Sequence, residues 1–199
     1  MIQFSDQEIR DERLILDSAT ELYYLGHHLT LRNSTIVIRV PARALVIAQT
    51  RFIDCTIEVK RELKNFSWES AHLKGCRFKG RFSGNDFGER PHAPGQGSIE
   101  DCDFSEAQLD DTRFLGCDIR TLRFPAWPCF TIQDPVRRAR ELEALPWPGK
   151  KGPIIAQLFA EDPPSTVAVT FSAPSLAKFC GTTPEAIKAV VEKLDGVYY

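Results

Sequence analysis

The chain has 199 residues, 43% of them hydrophobic, and a net charge of −2. That length buries a real core in one domain, or one domain with a small appendage, and the near-neutral charge gives no global attraction to nucleic acid or an acidic membrane. No apolar run approaches the ~20 residues of a membrane span, and the charged opening MIQFSDQEIRDERLILD lacks a signal-peptide apolar stretch, so a cytoplasmic protein is expected.

Residues 1–28 are expected to form an opening segment with a short strand or helix. HLTLRNSTIVIRV (28–40) alternates as a strand does and predicts an irregular first coil. From there apolar residues recur every five positions, at Ile47, Phe52 and Ile57. One extra residue intervenes, and Leu63, Trp68, Leu73 and Phe78 resume the spacing. Two places before them stand Leu45, Thr50, Cys55, Arg61, Phe66, Ala71 and Cys76; Arg61 and Phe66 break the preference for a small residue and predict a distorted coil. GNDFGERPHAPGQG (84–97), rich in glycine and proline, reads as a loop inserted between coils, and its Arg90 and His92 are candidates for recognition. The rhythm then runs without interruption from Ile99 through Phe104, Leu109, Phe114, Ile119 and Phe124, with Cys102, Ala107, Thr112, Cys117 and Leu122 two places ahead. WPCF (127–130) ends it.

A straight helix rotates a side chain by roughly 140° over five residues, and a straight strand puts it on the opposite face. The chain must therefore turn a corner in every repeat. Residues two apart share a face in extended backbone, so the small residue and the large one point inward together. Short extended pieces joined by corners stack into a solenoid with a continuous narrow core. These repeats resemble the pentapeptide-repeat family, whose loose motif is a small residue, a polar one, Leu or Phe, then two variable residues. The resemblance covers about residues 29–125 and implies a right-handed β-helix of four-sided coils. The expected fold class is thus mainly β, with a β-helix over 1–130 and a helical capping or docking region over 131–199.

In that second region Asp134-Pro135 predicts a helix start, with Val136, Ala139, Leu142 and Leu145 on one stripe. PWPGKKGP (146–153) is a linker, PIIAQLFA a short helix, and STVAVTF a strand or extended link. SLAKFCGTTPEAIKAVVEKL resembles a helix-turn-helix through Ala177, Gly181 and Ile187, but its second helix is close to charge-neutral, which favours capping over DNA reading.

Four of the six cysteines (Cys55, Cys76, Cys102 and Cys117) fall at small inward positions and serve as compact apolar fillers. No cysteine spacing, histidine pair or glycine-rich loop points to a metal, a cofactor or a catalytic centre. Charge is uneven: residues 60–81 are rich in Lys and Arg, while Glu100, Asp101, Asp103, Glu106, Asp110, Asp111 and Asp118 stand against Arg113 alone. Opposite charges attracting across neighbouring coils would explain this, and so would an acidic patch that steers a basic partner. The expected function is a non-enzymatic protein-binding module. The resemblance implies an immunity-type protein that occludes a toxin with a basic cleft, held by Asp101, Asp103, Glu106, Asp110, Asp111, Asp118 and the loop bearing Arg90 and His92. Two alternatives stay open: a DNA mimic that binds DNA gyrase, and a DNA-binding regulator using the helical pair.

Overall fold

A computed structural model of the protein describes residues 1–89 and 96–199. The fold is mainly β, with 41% strand and 19% helix, and forms a parallel β-solenoid of about four turns followed by short helices. One side of the coil stacks Glu8–Arg10, Thr30–Arg32, Thr50–Ile53, Ala71–Lys74 and Ser98–Glu100 in a five-stranded parallel sheet. The next side stacks Arg13–Leu16, Thr35–Ile38, Thr56–Val59 and the opening halves of Arg77–Ser83 and Asp103–Asp110. Before these come Ile2–Phe4, Tyr23–Leu25 and Leu45–Ile47, whose place in later turns is taken by Ser67, Asp86–Gly88 and Thr112–Leu115.

The fivefold apolar positions are the lumen. Ile9, Leu31, Phe52, Leu73 and Ile99 stand in register, one per turn. Phe104 and Phe114 are fully buried, and Phe124 is half-buried at the end of the stack, against Phe114 and Tyr198. Aromatic rings fill the later turns: Trp68 stacks on Phe87 and Phe87 on Phe114, each pair with centroids 5.6 Å apart. The predicted distortion at Arg61 and Phe66 takes a simple form. Arg61 turns out to solvent, and Phe66 packs edge-on to Trp68 at 5.1 Å.

The corners have their own chemistry. Asp11, Asn33, Asp54, Gly75 and Asp101 stack in one column and all adopt left-handed φ, between 46° and 64°. Each of the first four gives its N–H to a carbonyl of the next turn, at 2.9–3.1 Å. Asn65, Gly84 and Asp111 form a second such column. This backbone region costs an ordinary L-residue about 1–2 kcal/mol, and Gly, Asn and Asp tolerate it best. Asp54→Val is therefore expected to destabilise by about 1–2 kcal/mol and Asp54→Gly by less than about 0.5 kcal/mol, as read from urea denaturation.

The opening segment differs from expectation. It forms a complete first turn, with strands at 2–4, 8–10 and 13–16, so the irregular coil at 28–40 belongs to the second turn. The predicted loop at 84–97 is shorter at its start. Asn85 and Phe87 are fully buried in the coil, and the Asn85 side-chain amide donates to the carbonyls of Leu63 and Ser83.

The C-terminal region is also not purely helical. Cys129–Gln133, Thr166–Ser172 and Val197–Tyr198 form an antiparallel sheet, and Thr166–Ser172 pairs antiparallel with Thr112–Leu115 of the solenoid. The run 129–133, buried on both faces, lacks the alternation that marks a strand. Four helices cover this sheet: α1 (Ala139–Glu143), α2 (Gly152–Glu161), α3 (Ala173–Cys180) and α4 (Pro184–Val191). The predicted helix from Asp134 begins later, because Asp134 itself has φ of 48° and residues 135–138 are turns. Within the expected linker, Trp147 is buried and its Nε1–H donates to the Leu142 carbonyl at 2.7 Å. α3 and α4 meet around Gly181, which is left-handed at φ 70°. They bury Ala177, Cys180, Ile187 and Val191 in a second core with Phe130, Ile132 and Val169. The packing positions of a helix-turn-helix are thus used to hold the pair on the sheet.

Candidate functional site

The strand Thr112–Leu115 lies between the solenoid and the C-terminal sheet, and the residues around it define a cleft of about 720 Å³. Its floor comes from corners and strands of the solenoid: Asp86, Asp110, Asp111 and Arg113. Its far wall is α2, one face of α3 and the Asp162 that ends α2.

Arg113 organises the charges. Its Nε and Nη2 hold the two oxygens of Asp86 at 2.7 and 2.9 Å, and Nη1 reaches Asp162 Oδ1 at 3.1 Å. The guanidinium thus ties the solenoid to the end of α2, and these bonds raise its pKa further above the usual arginine range. One cation serves a crowd of anions. Asp162 is pushed above the ordinary carboxylate value by burial, which outweighs the pull of Arg113, and Asp111 and Asp86 add a smaller repulsion. Asp111 stands at the mouth of the cleft, touched by water yet walled by protein. That enclosure, with Asp110 and Asp86 nearby, raises its pKa too. Asp110 accepts the Ser172 N–H at 3.0 Å and so pins the C-terminal sheet to the coil. At the outer lip Glu161 is exposed, beside the exposed apolar side chains of Leu158 and Phe179.

The sequence candidates divide around this geometry. Asp110 and Asp111 lie in the cleft. Asp101 is a left-handed corner, and it lines a separate polar groove with Asp103, Arg77, Arg120 and Arg123. Burial opposes ionisation of Asp103, but hydrogen bonds from the Ser105 hydroxyl and amide, with Arg123 and Arg77, outweigh it and lower its pKa. Glu106 is exposed and pairs with Lys79 at 2.8 Å and Arg77 at 3.8 Å. Asp118 is gripped by Arg120 through Nε at 2.8 Å and Nη2 at 2.6 Å, which lowers its pKa to about 2. Arg90 and His92 lie outside the described residues.

Glu100 reaches back to Lys74 at 2.7 Å, as Glu106 reaches back to Lys79. Much of the acidic run is therefore matched against the basic run of the turn before it. Sequence reasoning missed Asp86, Asp162, Glu161, Leu158 and Phe179. The one signal for the cleft was that Arg113 stood alone among carboxylates. The thiols are buried fillers: burial raises Cys55 to about 11 and Cys117 to about 12. All six cysteines are free.

Among the described residues no cluster of three or more His, Cys, Asp or Glu side chains is arranged to hold a metal ion, and no helix is long and apolar enough to cross a membrane. No protein-family model, curated protein or solved structure matches the chain.

Proposed function

We propose that the protein is a non-enzymatic binding module and that the cleft beside Arg113 is its docking site. The observation that carries this reading is the composition of the cleft: Asp86, Asp110, Asp111, Glu161 and Asp162 surround one guanidinium, with Leu158 and Phe179 exposed at the lip. A partner segment carrying lysine or arginine beside an apolar anchor answers both features, since charge steers the encounter and a desolvated apolar contact holds it. The resemblance of the five-residue repeats to the pentapeptide-repeat family refines the reading to an immunity-type protein. The partner is then a toxin whose basic active-site cleft is occluded.

The DNA-mimic reading has less support. A mimic needs unmatched negative charge along a long rod, whereas Glu100 and Glu106 are matched by lysines of the preceding turn. About four turns at ~4.8 Å each also give a stack only on the order of 20 Å tall. DNA binding through α4 has little to work with: Lys188 lies near Glu192 at 3.6 Å and over the Trp127 ring at 5.3 Å.

The test is isothermal titration of the protein with the purified product of the neighbouring gene. A complex is expected, weakened more than about tenfold by the exposed double change Leu158→Glu, Glu161→Lys and unchanged by Glu100→Lys on the solenoid side. No complex, or one indifferent to the lip residues, would remove this docking site.

A further inference from the structure

The two ends of the solenoid are finished differently. The last turn is closed by the C-terminal sheet and its helices. The first turn presents open strands at Ile2–Phe4, Glu8–Arg10 and Arg13–Leu16, each the terminal strand of its sheet. Their inward side chains Ile2, Phe4, Ile9 and Leu14 are only half-buried, whereas the residues stacked on them, Tyr23, Leu25, Leu31 and Ile36, are 0–4% exposed. An open edge of this kind is a template for another strand.

The sequence of this turn is symmetric about Ile9. Seven residues before it and seven after stand Ile2 and Leu16. Five away stand Phe4 and Leu14, and one away stand Glu8 and Arg10. The backbone hydrogen bonds follow the same pairing, although the left-handed corners do not, with Asp6 three residues before Ile9 and Asp11 two after. Ile2, Phe4, Gln7, Asp11, Glu12 and Leu16 give an N–H or a C=O to the second turn. A parallel strand alternates the direction of these groups, so those of Gln3, Glu8, Arg10 and Ile15 point out of the open end. Gln3 and Ile15 are each six residues from Ile9, and Glu8 and Arg10 one.

We propose that this end binds a second copy of the chain, related by a two-fold axis through Ile9. Glu8–Arg10 of each copy then pairs antiparallel with its counterpart, and Ile2–Phe4 of one copy pairs with Arg13–Leu16 of the other. In that register Glu8 and Arg10 exchange both backbone hydrogen bonds and bring opposite charges together on the outer face. Ile9 meets Ile9 and Phe4 meets Leu14 within the lumen, and Ile2 lies opposite Leu16, which its own chain already buries, so the two cores become continuous. The single like-charge match, Asp6 with Glu12, falls at a water-exposed corner beside Arg13, where screening makes it weak. The charge pattern thus selects a second copy over an unrelated strand. The interface also lies at the opposite end of the solenoid from the docking cleft, so loss of self-association leaves that reading untouched.

The test is sedimentation equilibrium of the full chain together with oxidative cross-linking. A dimer is expected. Arg10→Glu sets Glu8 of each copy against an introduced carboxylate on the other and should weaken the dimer more than about tenfold, and adding Glu8→Arg should recover at least part of that loss. Circular dichroism of the same proteins separates loss of pairing from loss of fold. Opposed residues that do not exchange backbone bonds have Cα atoms about 4.5 Å apart, within disulfide reach. Ile9→Cys should therefore form a covalent dimer on oxidation, while Gln3→Cys should cross-link only when mixed with Ile15→Cys. A monomer at all concentrations overturns the proposal, as does a dimer in which Ile9→Cys fails to cross-link; the latter would mean that another segment or another protein covers the open turn.

Discussion

Replacing Phe104 by alanine is expected to destabilise the protein by about 3–5 kcal/mol, the range for a fully buried phenylalanine whose site cannot collapse. Phe104 is 0% exposed and lies flat against Phe78, with ring centroids 4.5 Å apart and planes within 9°. Phe87 and Phe114 present their edges to it at 5.1 and 5.3 Å. Neighbours on three sides are themselves held in strand ladders, parallel within the solenoid and antiparallel where Thr112–Leu115 meets Thr166–Ser172, so the void stays open. Each turn of a solenoid is stabilised chiefly by the turns it touches. Removing a ring that bridges consecutive turns therefore weakens the interface as well as the residue. Phe124→Ala is the internal comparison: its ring is half-buried at the end of the stack, and about 1–2 kcal/mol is expected. Urea denaturation of the three proteins decides the matter. A cost for Phe104 no larger than that for Phe124 would mean that the fivefold apolar positions do not form one packed column.

That column was legible because its period survives corners. From Ile47 onward steps of five carry an inward side chain from one side of the coil to the next, interrupted by the extra residue at Arg61, the step of four from Phe78 to Phe82 and the insertion after Gly88. The first turn escaped notice because the strands aligned at Ile2, Tyr23 and Leu45 are 21 and 22 residues apart, so the count of five slips. A second signal would have found it. A residue tolerant of left-handed backbone precedes the small inward position in Asn33-Ser34, Asp54-Cys55, Gly75-Cys76 and Asp101-Cys102, and Asp11 holds the same corner in the first turn ahead of the exposed Glu12. The corner column is written in the sequence from the first turn on, even where the apolar rhythm is not. It also gives Asp101 a structural duty that a count of charges cannot reveal. The cleft had no comparable signature. Arg113 and Asp162 are 49 residues apart, and their meeting depends on how the strand Thr166–Ser172 docks on the solenoid.

The same pair sets the second large effect. Arg113→Met keeps the length of the side chain and removes the charge, leaving Asp86 and Asp162 facing each other and Asp111 with no cation between them. Breaking a buried ion pair from one side costs about 3–5 kcal/mol, and the partial exposure of the Arg113 guanidinium reduces this to about 2–3 kcal/mol near pH 7. The pH dependence identifies the cause. In the native protein Asp111 and Asp162 already titrate above their ordinary 3.8. For a carboxylate with a raised folded pKa, the stabilising contribution is full below the unfolded value and is lost as pH rises through the folded one. Without Arg113 the folded values of Asp111 and Asp162 rise further, so the variant loses more stability over the same interval. The gap between the two proteins should therefore be widest at pH 7 and narrow as the pH falls toward about 4, where the carboxylates protonate. Urea midpoints measured across that range test this, and a gap independent of pH would show that the cost is lost packing alone. The same substitution leaves the cleft with only negative groups. A basic partner should then bind the folded variant more tightly while the variant itself unfolds more easily. Arg113 would thus hold the cleft shut electrostatically, trading affinity for a stable junction between solenoid and cap, and a variant that lost both stability and affinity would argue that the guanidinium touches the partner directly.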